Sequence, residues 1–420
     1  MTNIRLDRTF WPVGHGAFYT ERFFNHENGT IFTAVYDCGG RGNWRKGNHT
    51  SKSSPFMENM VRDYFFETFQ GKSPVINVLF ISHLHRDHIN GIPSLLPYTQ
   101  RIVLPQLEEE SYLESFIYNA ITSDTNALDV NSDIQSLIIN LARGENRAGE
   151  ALITRVRPSQ GEGRNQEHNE QNDFNGLGDH INSGTPIFVP TFNTAGIPFW
   201  IYIPVNLPIE MKKEETLLDV LCDKLATNLK GEKGVNWGAL QEALRHADIK
   251  EIKKVYETYF DIKDDNHNFY SMPVFSGPIA GQPYHWYLND FDFFDEEILP
   301  YHWQRGIFHH HRPLERKLLS CLYMGDFEAS EEDNLYKLEK ELDKYYYRVG
   351  LQQVPHHYSS NNHDIYLYED RILAFGNVDD HKDVSFRHSV YREIYRTTYF
   401  PPLAITEKDS PVKIIYELFL

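Results

Sequence analysis

The segment from Val75 to Leu96, VINVLFISHLHRDHINGIPSLL, constrains this chain more than any other, because an apolar run ends in four potential metal ligands within six positions. Val78, Leu79, Phe80 and Ile81 are too few for a helix and rich in β-branched and aromatic residues, so they predict a buried strand. Two residues apart in an extended backbone, His83 and His85 point to the same side and can reach one cation from one loop edge. Asp87 and His88 open the next element, Ile89 to Leu96, and are aimed differently. Two imidazoles on one side and a carboxylate plus an imidazole on the other suit two adjacent divalent ions, which such sites hold roughly 3.5–4 Å apart. Imidazole with carboxylate suits borderline metals. The chain has 20 histidines, and a chance cluster lining a polar loop is the plainer alternative. The order His-x-His-x-Asp-His, directly after a strand and before Asn90-Gly91, favours a metal site.

This segment resembles the signature of the metallo-β-lactamase superfamily. The resemblance implies an αββα sandwich, an α/β fold with two mixed sheets face to face, helices outside, and two divalent metal ions, zinc or manganese, at one edge where loops follow strands. Other segments extend it. Trp11 to Ala17, WPVGHGA, looks like the family's opening glycine-containing strand and turn. Asp37, at a strand end before Gly39-Gly40, matches an aspartate that orients a ligand rather than binding metal; by itself it could equally be a turn former. Gly325-Asp326 matches the family's Gly-Asp, whose carboxylate bridges both metals. Asn268-x-x-Ser271, His356-His357-Tyr358-Ser359-Ser360 and Gly376-Asn377 with Arg387-His388-Ser389 resemble segments of the metal-hydrolase domain of ComEC-type DNA uptake proteins. Tyr358 stands there for a glycine, and Ser389 for a proline.

The resemblance implies that Asp87, His88, Asp326 and one of His356 and His357 hold one metal, His356 being favoured as the first off the strand, while His83, His85 and Asp326 hold the other. Asn268 and His388 join Asp37 as supporting residues. His357 is then a proton donor or substrate contact, counted with Asp87 and Asp326 as catalytic. Typical members supply a further histidine between the signature and the bridging aspartate. Here His180 lies in a polar loop, His246 in a helix and His267 beside Asn268, none in a recognisable motif. The ComEC-like branch also lacks that histidine, and Asn268 stands near its place.

A length of 420 residues is large for one domain but normal for a sandwich core that carries insertions. Ile4 to Phe24 and Thr30 to Asp37 read as strands around the Asn28-Gly29 hairpin signal, and Ser54 to Gln70 as a helix. Beyond a short strand at Arg101 to Pro105 the pattern changes. Glu108 to Gly144 is mainly helical, Pro158 to Gly184 is a polar run expected to be a loop, Ile187 to Asn206 holds two strands, and Leu217 to Phe260 returns to helices. The expected organisation is a core over 1–105 and 263–420, with 106–262 inserted as a cap or lid. Strands then close the chain through Lys317 to Met324, Leu351 to Pro355, Ile372 to Gly376 and Thr406 to Leu420.

Charge and composition narrow the function. The 41 basic residues are outnumbered by 59 acidic ones, which argues against a long duplex held on a broad basic surface. Gly39 to Met57 nevertheless contains Arg41, Trp44, Arg45, Lys46, His49 and Lys52 and no acidic residue, so it is the candidate grip for substrate phosphate. Cys38, Cys222 and Cys321 form no Cys-x-x-Cys pair. No apolar run approaches a bilayer span and the amino terminus has no signal-type run, so the expected location is cytoplasmic, without membrane partners. The expected activity is hydrolysis by a metal-bound hydroxide, of a phosphodiester in nucleic acid or nucleotides. The alternatives are hydrolysis of a lactam, thioester, lactone or peptide, or a place in a defence or DNA-processing assembly whose protein partner binds the insertion.

Overall fold

The computed structural model describes residues 2–40, 55–122, 128–159, 174–190, 198–207, 215–232, 234–260, 271–281, 285–291, 317–330, 333–359, 362–378, 384–400, 402–406 and 408–420. Its first strands, β1 (Asn3–Phe10), β2 (Gly16–Asn25) and β3 (Ile31–Gly40), form an antiparallel meander. Helix α1 (Pro55–Phe69) then crosses to β4 (Val78–Phe80), which pairs parallel to β3. Two short helical turns, α2 (Arg86–Ile89) and α3 (Ile92–Leu95), lead to β5 (Arg101–Pro105), again parallel. Beyond it come α4 (Glu109–Ile121), α5 (Asp133–Ala142), β6 (Arg147–Ala148), β7 (Ala151–Arg157), β8 (His180–Asn182), β9 (Ile187–Phe188) and β10 (Trp200–Pro204). A further helical group comprises α6 (Leu217–Leu225), a hairpin of β11 (Lys230–Gly231) and β12 (Gly234–Val235), α7 (Trp237–Arg245) and α8 (Ile249–Phe260). The remaining elements are β13 (Val274–Pro278), β14 (His285–Phe291), β15 (Cys321–Tyr323), α9 (Asn334–Leu342), β16 (Leu351–Gln353), β17 (Leu373–Asn377), α10 (Val384–Thr397), β18 (Leu403–Ile405) and β19 (Val412–Phe419).

Two sheets result. One runs β14-β19-β1-β2-β3-β4-β5-β7-β6, with β8 paired to β7; the other runs β18-β17-β16-β15-β13-β10-β9. Side-chain alternation shows how they stack. Ile4, Leu6, Tyr19, Tyr36, Val78, Phe80 and Val103 of the first sheet share one core with Trp200, Tyr202, Val274, Tyr323, Leu351 and Phe375 of the second. Val35, Leu79, Ile102 and Leu104 face the other way, onto α1 and α4–α8. Ile201, Phe275, Leu322 and Ala374 point outward beneath α9 and α10. The architecture is thus an αββα sandwich, helices on both outer faces, as the signature segment implied. The parallel strand β4 is apolar on both faces because both are covered. No helix of the described residues is long and apolar enough to cross a membrane.

The expected organisation needs correction over 106–262. Strand β7 pairs parallel with β5, and β10 pairs antiparallel with β13, so this segment builds part of each sheet. Among the described residues, its helices and the β11–β12 hairpin stand apart, packed on the outer face of the first sheet. The polar run is also not all loop: Phe174 and Leu177 are buried between the sheets and His180–Asn182 pairs with β7. The polar residues around these positions conceal a few apolar anchors, and strand pairing between distant segments leaves no mark in composition.

A buried carboxylate joins the sheets. Glu21 on β2 pairs with Arg8 of β1 at 2.7 Å, both inaccessible to solvent. From the opposite sheet it accepts hydrogen bonds from Tyr202 at 2.7 Å, Ser276 at 2.7 Å and Tyr323 at 2.8 Å. Glu21→Ala leaves the Arg8 guanidinium buried and uncompensated, so it should cost about 3–5 kcal/mol. A fall in the urea midpoint of unfolding measures it; a midpoint equal to that of the parent protein would show that the carboxylate does not hold the sheets.

Candidate metal centre

The signature histidines leave the carboxyl end of β4, where ligand sites form in sheets with parallel strands. Asp37 lies near the end of neighbouring β3 in the left-handed conformation, φ 53°. There its carboxylate accepts hydrogen bonds from the Ser82 amide at 2.7 Å and hydroxyl at 2.6 Å, and sits 2.8 Å from His88 Nδ1. The Nε2 of His88 is thereby turned into the site. Backbone fit is close here: a side-chain carbon added at Gly39 would lie 2.4 Å from the Asp87 backbone. Asp37 thus contacts both the Ser82 that opens the signature turn and the His88 that closes it.

Asp326 arrives from the second sheet, on the turn after β15. Ser271 pins this turn, donating its hydroxyl to the Met324 carbonyl and accepting from the Asp326 amide at 2.9 Å. Gln353 Oε1 accepts from the amides of Met324 and Gly325. Gly325 has φ 57°, and a side chain there would run into Ser271 and Ser82, so only glycine fits this turn.

Four histidines face the Asp326 carboxylate. His88 Nε2 is 3.0 Å and His357 Nε2 3.5 Å from Oδ1, while His83 Nε2 is 3.7 Å and His356 Nε2 3.9 Å from Oδ2. Asp87 Oδ2 is 3.8 Å from His357 Nε2. His83, Asp87, His88, Asp326, His356 and His357 are thus brought together, essentially sealed from solvent. The resemblance paired His356 with Asp87 and His88; in the structure the histidine beside them is His357. His85 adjoins the group, its ring 4.8 Å from that of His83. Its Nε2 lies 3.2 Å from buried Glu114 on α4, and its ring stacks on Tyr118 at 3.9 Å. Only Nδ1 of His85 remains to meet a cation.

Electrostatics prepare these groups as donors. Burial alone would raise the Asp326 carboxyl, but His88, His356 and His357 hold it well below the usual carboxylate range. Burial, reinforced by His88, holds His83 well below the ordinary imidazole value; burial and His15 do the same to His357. Burial alone would lower His88, yet Asp326 and Asp37 push it well above that value. The site thus attracts positive charge while His83 and His357 keep their lone pairs. The buried Nε2 atoms of His83 and His357 have no hydrogen-bond partner among the described residues. Divalent cations fit this donor set. Two compact groups could hold one, His83 with His88 and Asp326, and His15 with Asp87 and His357.

His15 carried no expected role. It sits in the β1–β2 turn with Nε2 3.1 Å from Asp87 Oδ2 and its ring 4.1 Å from that of His357. Glu114 was also missed, as was Tyr256 on α8, whose hydroxyl donates to it. A histidine between two glycines, Gly14 and Gly16, is the available signal for the first. A carboxylate on the buried face of an amphipathic helix is the signal for the second. Arg41, Trp44, Arg45, Lys46 and Asn268 lie outside the described residues, and of His388 only its place within α10 is described.

No family model matches the chain, and no curated protein matches it. Among solved structures, the crystal structure of unliganded yeast PDE1 aligns over 100% of both chains at 10% identity with a TM-score of 0.37. That likeness is too slight to assign family or activity, so function has to be read from the geometry of the site itself.

Asp37→Asn retains a residue that tolerates the left-handed backbone while weakening the grip on His88. Its expected effect is a 10–100-fold loss of zinc affinity, the order seen when such supporting carboxylates are removed, with an unchanged far-ultraviolet dichroism spectrum. Calorimetric zinc titration measures it, and unaltered affinity would mean that His88 needs no orientation by Asp37.

Proposed function

We propose that this protein is a metal-dependent hydrolase, a phosphodiesterase acting on nucleic acid or nucleotides. The observation that carries the reading is the enclosure of two buried carboxylates, Asp87 and Asp326, by five imidazoles at the carboxyl ends of strands from both sheets. Divalent cations held there, zinc or manganese, supply positive charge against the attacked centre and acidify water toward neutral pH. The protein's own groups do the rest. Asp326 presents one oxygen to each side of the site, Asp37 and Glu114 orient His88 and His85, and the buried setting strengthens each of these interactions.

Phosphate is the favoured substrate chemistry because two cations can hold attacking and leaving oxygens together. The motif resemblance to ComEC-type hydrolase domains points the same way, as analogy. The basic run beginning at Arg41 supports it as well. That run starts directly after Gly40, which is clamped by Asn90: Gly40 N–H donates to Oδ1 at 3.0 Å and Asn90 Nδ2 donates to the Gly40 carbonyl at 2.8 Å. Substrate phosphate then meets Arg41, Arg45 and Lys46, with Trp44 available to stack on a base. Helices α4 and α8 wall the site on the side of His85 and would limit what enters.

Turnover of a chromogenic bis-phosphodiester compared with a thioester, in protein loaded with zinc or manganese, tests the reaction class. Phosphodiester cleavage is expected, abolished in Asp326→Ala together with loss of bound metal. Thioester cleavage alone would replace the phosphodiesterase reading. Paired Arg41→Ala and Arg45→Ala changes should raise KM for a nucleic-acid substrate by roughly a hundredfold or more, as two lost charge-assisted bonds of about 1.5–3 kcal/mol each imply. They should also flatten its salt dependence at constant metal content. An unaltered KM and salt slope would remove this segment from the substrate site.

A further inference from the structure

The motif resemblance leaves one cation short of a histidine, because no histidine between the signature and Asp326 sits in a recognisable motif. His180 and His246 are exposed on β8 and at the end of α7, away from the enclosed group. The structure offers a different source. We propose that the adjacent pair His356-His357 is divided between two cation positions. His356 joins His83 and His85 on the Oδ2 side of Asp326, and His357 joins Asp87 and His88 on the Oδ1 side. This proposal rests on the metal-hydrolase reading and assigns its ligands.

Geometry separates the pair. The two Nε2 atoms approach different oxygens of one carboxylate, His356 at 3.9 Å from Oδ2 and His357 at 3.5 Å from Oδ1. Their ring centroids are 6.1 Å apart and the planes cross at 74°. Successive residues in a strand point to opposite faces, which would carry one ring out of the site. Here both residues are left-handed, with φ/ψ of 47°/49° and 51°/41°, and this backbone lets consecutive imidazoles straddle one carboxylate. Non-glycine residues adopt it at a cost, and its recurrence at consecutive positions points to function.

Each ring is also held for a separate task. His356 Nδ1 lies 2.7 Å from Asn362 Oδ1, and Asn362 Nδ2 donates to Glu328 at 2.7 Å. The amide orientation set by Glu328 leaves Asn362 an acceptor, so His356 carries its proton on Nδ1 and a lone pair on Nε2. That is the tautomer a ligand needs. His357 instead packs its ring 4.1 Å from that of His15, whose Nε2 is 3.1 Å from Asp87, and its own buried Nε2 has no hydrogen-bond partner among the described residues. One histidine belongs to the Glu328–Asn362 chain and the other to the Asp87–His15 side.

Cobalt(II) binding to the 420-residue chain tests the partition, read by metal content after dialysis and by the visible absorption of the bound ion. Asparagine is the replacement of choice for both histidines because it tolerates the left-handed backbone. The parent protein should retain two ions per chain, and His356→Asn and His357→Asn one each, with different spectra. Combination with His83→Ala decides the assignment. His356→Asn with His83→Ala should still retain one ion, since both changes strike the same position, whereas His357→Asn with His83→Ala should retain none. Asn362→Ala, which leaves every ligand in place, should weaken one ion by roughly 10–100-fold and spare the other. The reverse pattern in the double variants, or two ions kept in either single variant, overturns the division while leaving a metal-binding parent. A parent protein that takes up no cobalt overturns the division and the metal-hydrolase reading together.

Discussion

The Glu21 carboxylate sets how the two sheets meet, and the site inherits that registration. His83 to His88 hang from the first sheet, whereas Asp326 and His356-His357 hang from the second. A cation held between them would contact groups from both, so a small slide of one sheet over the other would separate the candidate ligands. Apolar packing between the sheets is non-directional and tolerates such a slide. A charge with hydrogen bonds to Arg8, Tyr202, Ser276 and Tyr323 does not, because each displaced partner would leave a buried polar group unsatisfied. The tie continues toward the site. Tyr36 donates to the Met272 carbonyl at 3.1 Å and the Met272 amide donates to the Ser82 carbonyl at 2.9 Å, so the strand before Asp37 and the loop before His83 are stitched to the segment that carries Ser271.

Much of this was legible in the residues themselves. Strand β4, the following histidines, Asp37 and Asp326 each combine a chemical type with a local context, strand end or glycine turn, and such combinations survive without knowledge of the fold. The helices at Pro55–Phe69 and Glu109–Ile121 follow from periodicity. What escaped has a common physical origin. His15 is far from Asp87 in sequence and meets it only because β2 lies beside β3, and no spacing rule encodes that. Glu114 meets His85, and Tyr256 meets Glu114, because α4 and α8 pack together on the first sheet. Strands β7 and β10 were assigned to an insertion because pairing with β5 and β13 depends on partners far away in the chain.

The helical group has a consequence for the site beyond coverage. Glu114 holds His85 Nε2, and Tyr256 holds Glu114, so the tautomer and tilt of a signature histidine depend on two helices absent from any short motif. Arg86, between His85 and Asp87, pairs with Asp129 at 3.4 Å just ahead of α5. The middle of the signature turn is therefore referenced to α4 and to the segment before α5 as well as to β4. A partner or substrate that shifted α4 or α8 would act on the donor set directly, through a buried carboxylate in which a change of hydrogen bonding is costly.

Tyr358 shows how the surroundings sustain the unusual backbone beside His357. It too is left-handed, φ 66°, at the place where the resembling motif has glycine. A bulky residue is strained there, by an amount on the order of 1–3 kcal/mol. The structure offsets this by burying the ring completely and giving its hydroxyl the Leu403 carbonyl at 2.9 Å. The ring lies against Gly376, where a side-chain carbon would come within 3.0 Å of it. Glycine at 376 is thus the complement of tyrosine at 358: the conformational freedom given up at one position is matched by space opened at the other. A non-glycine residue at position 358 also narrows the conformations that the His356-His357 turn can sample. His356 and His357 are consequently presented by a backbone with little freedom to relax, which is what a centre built from several converging side chains requires.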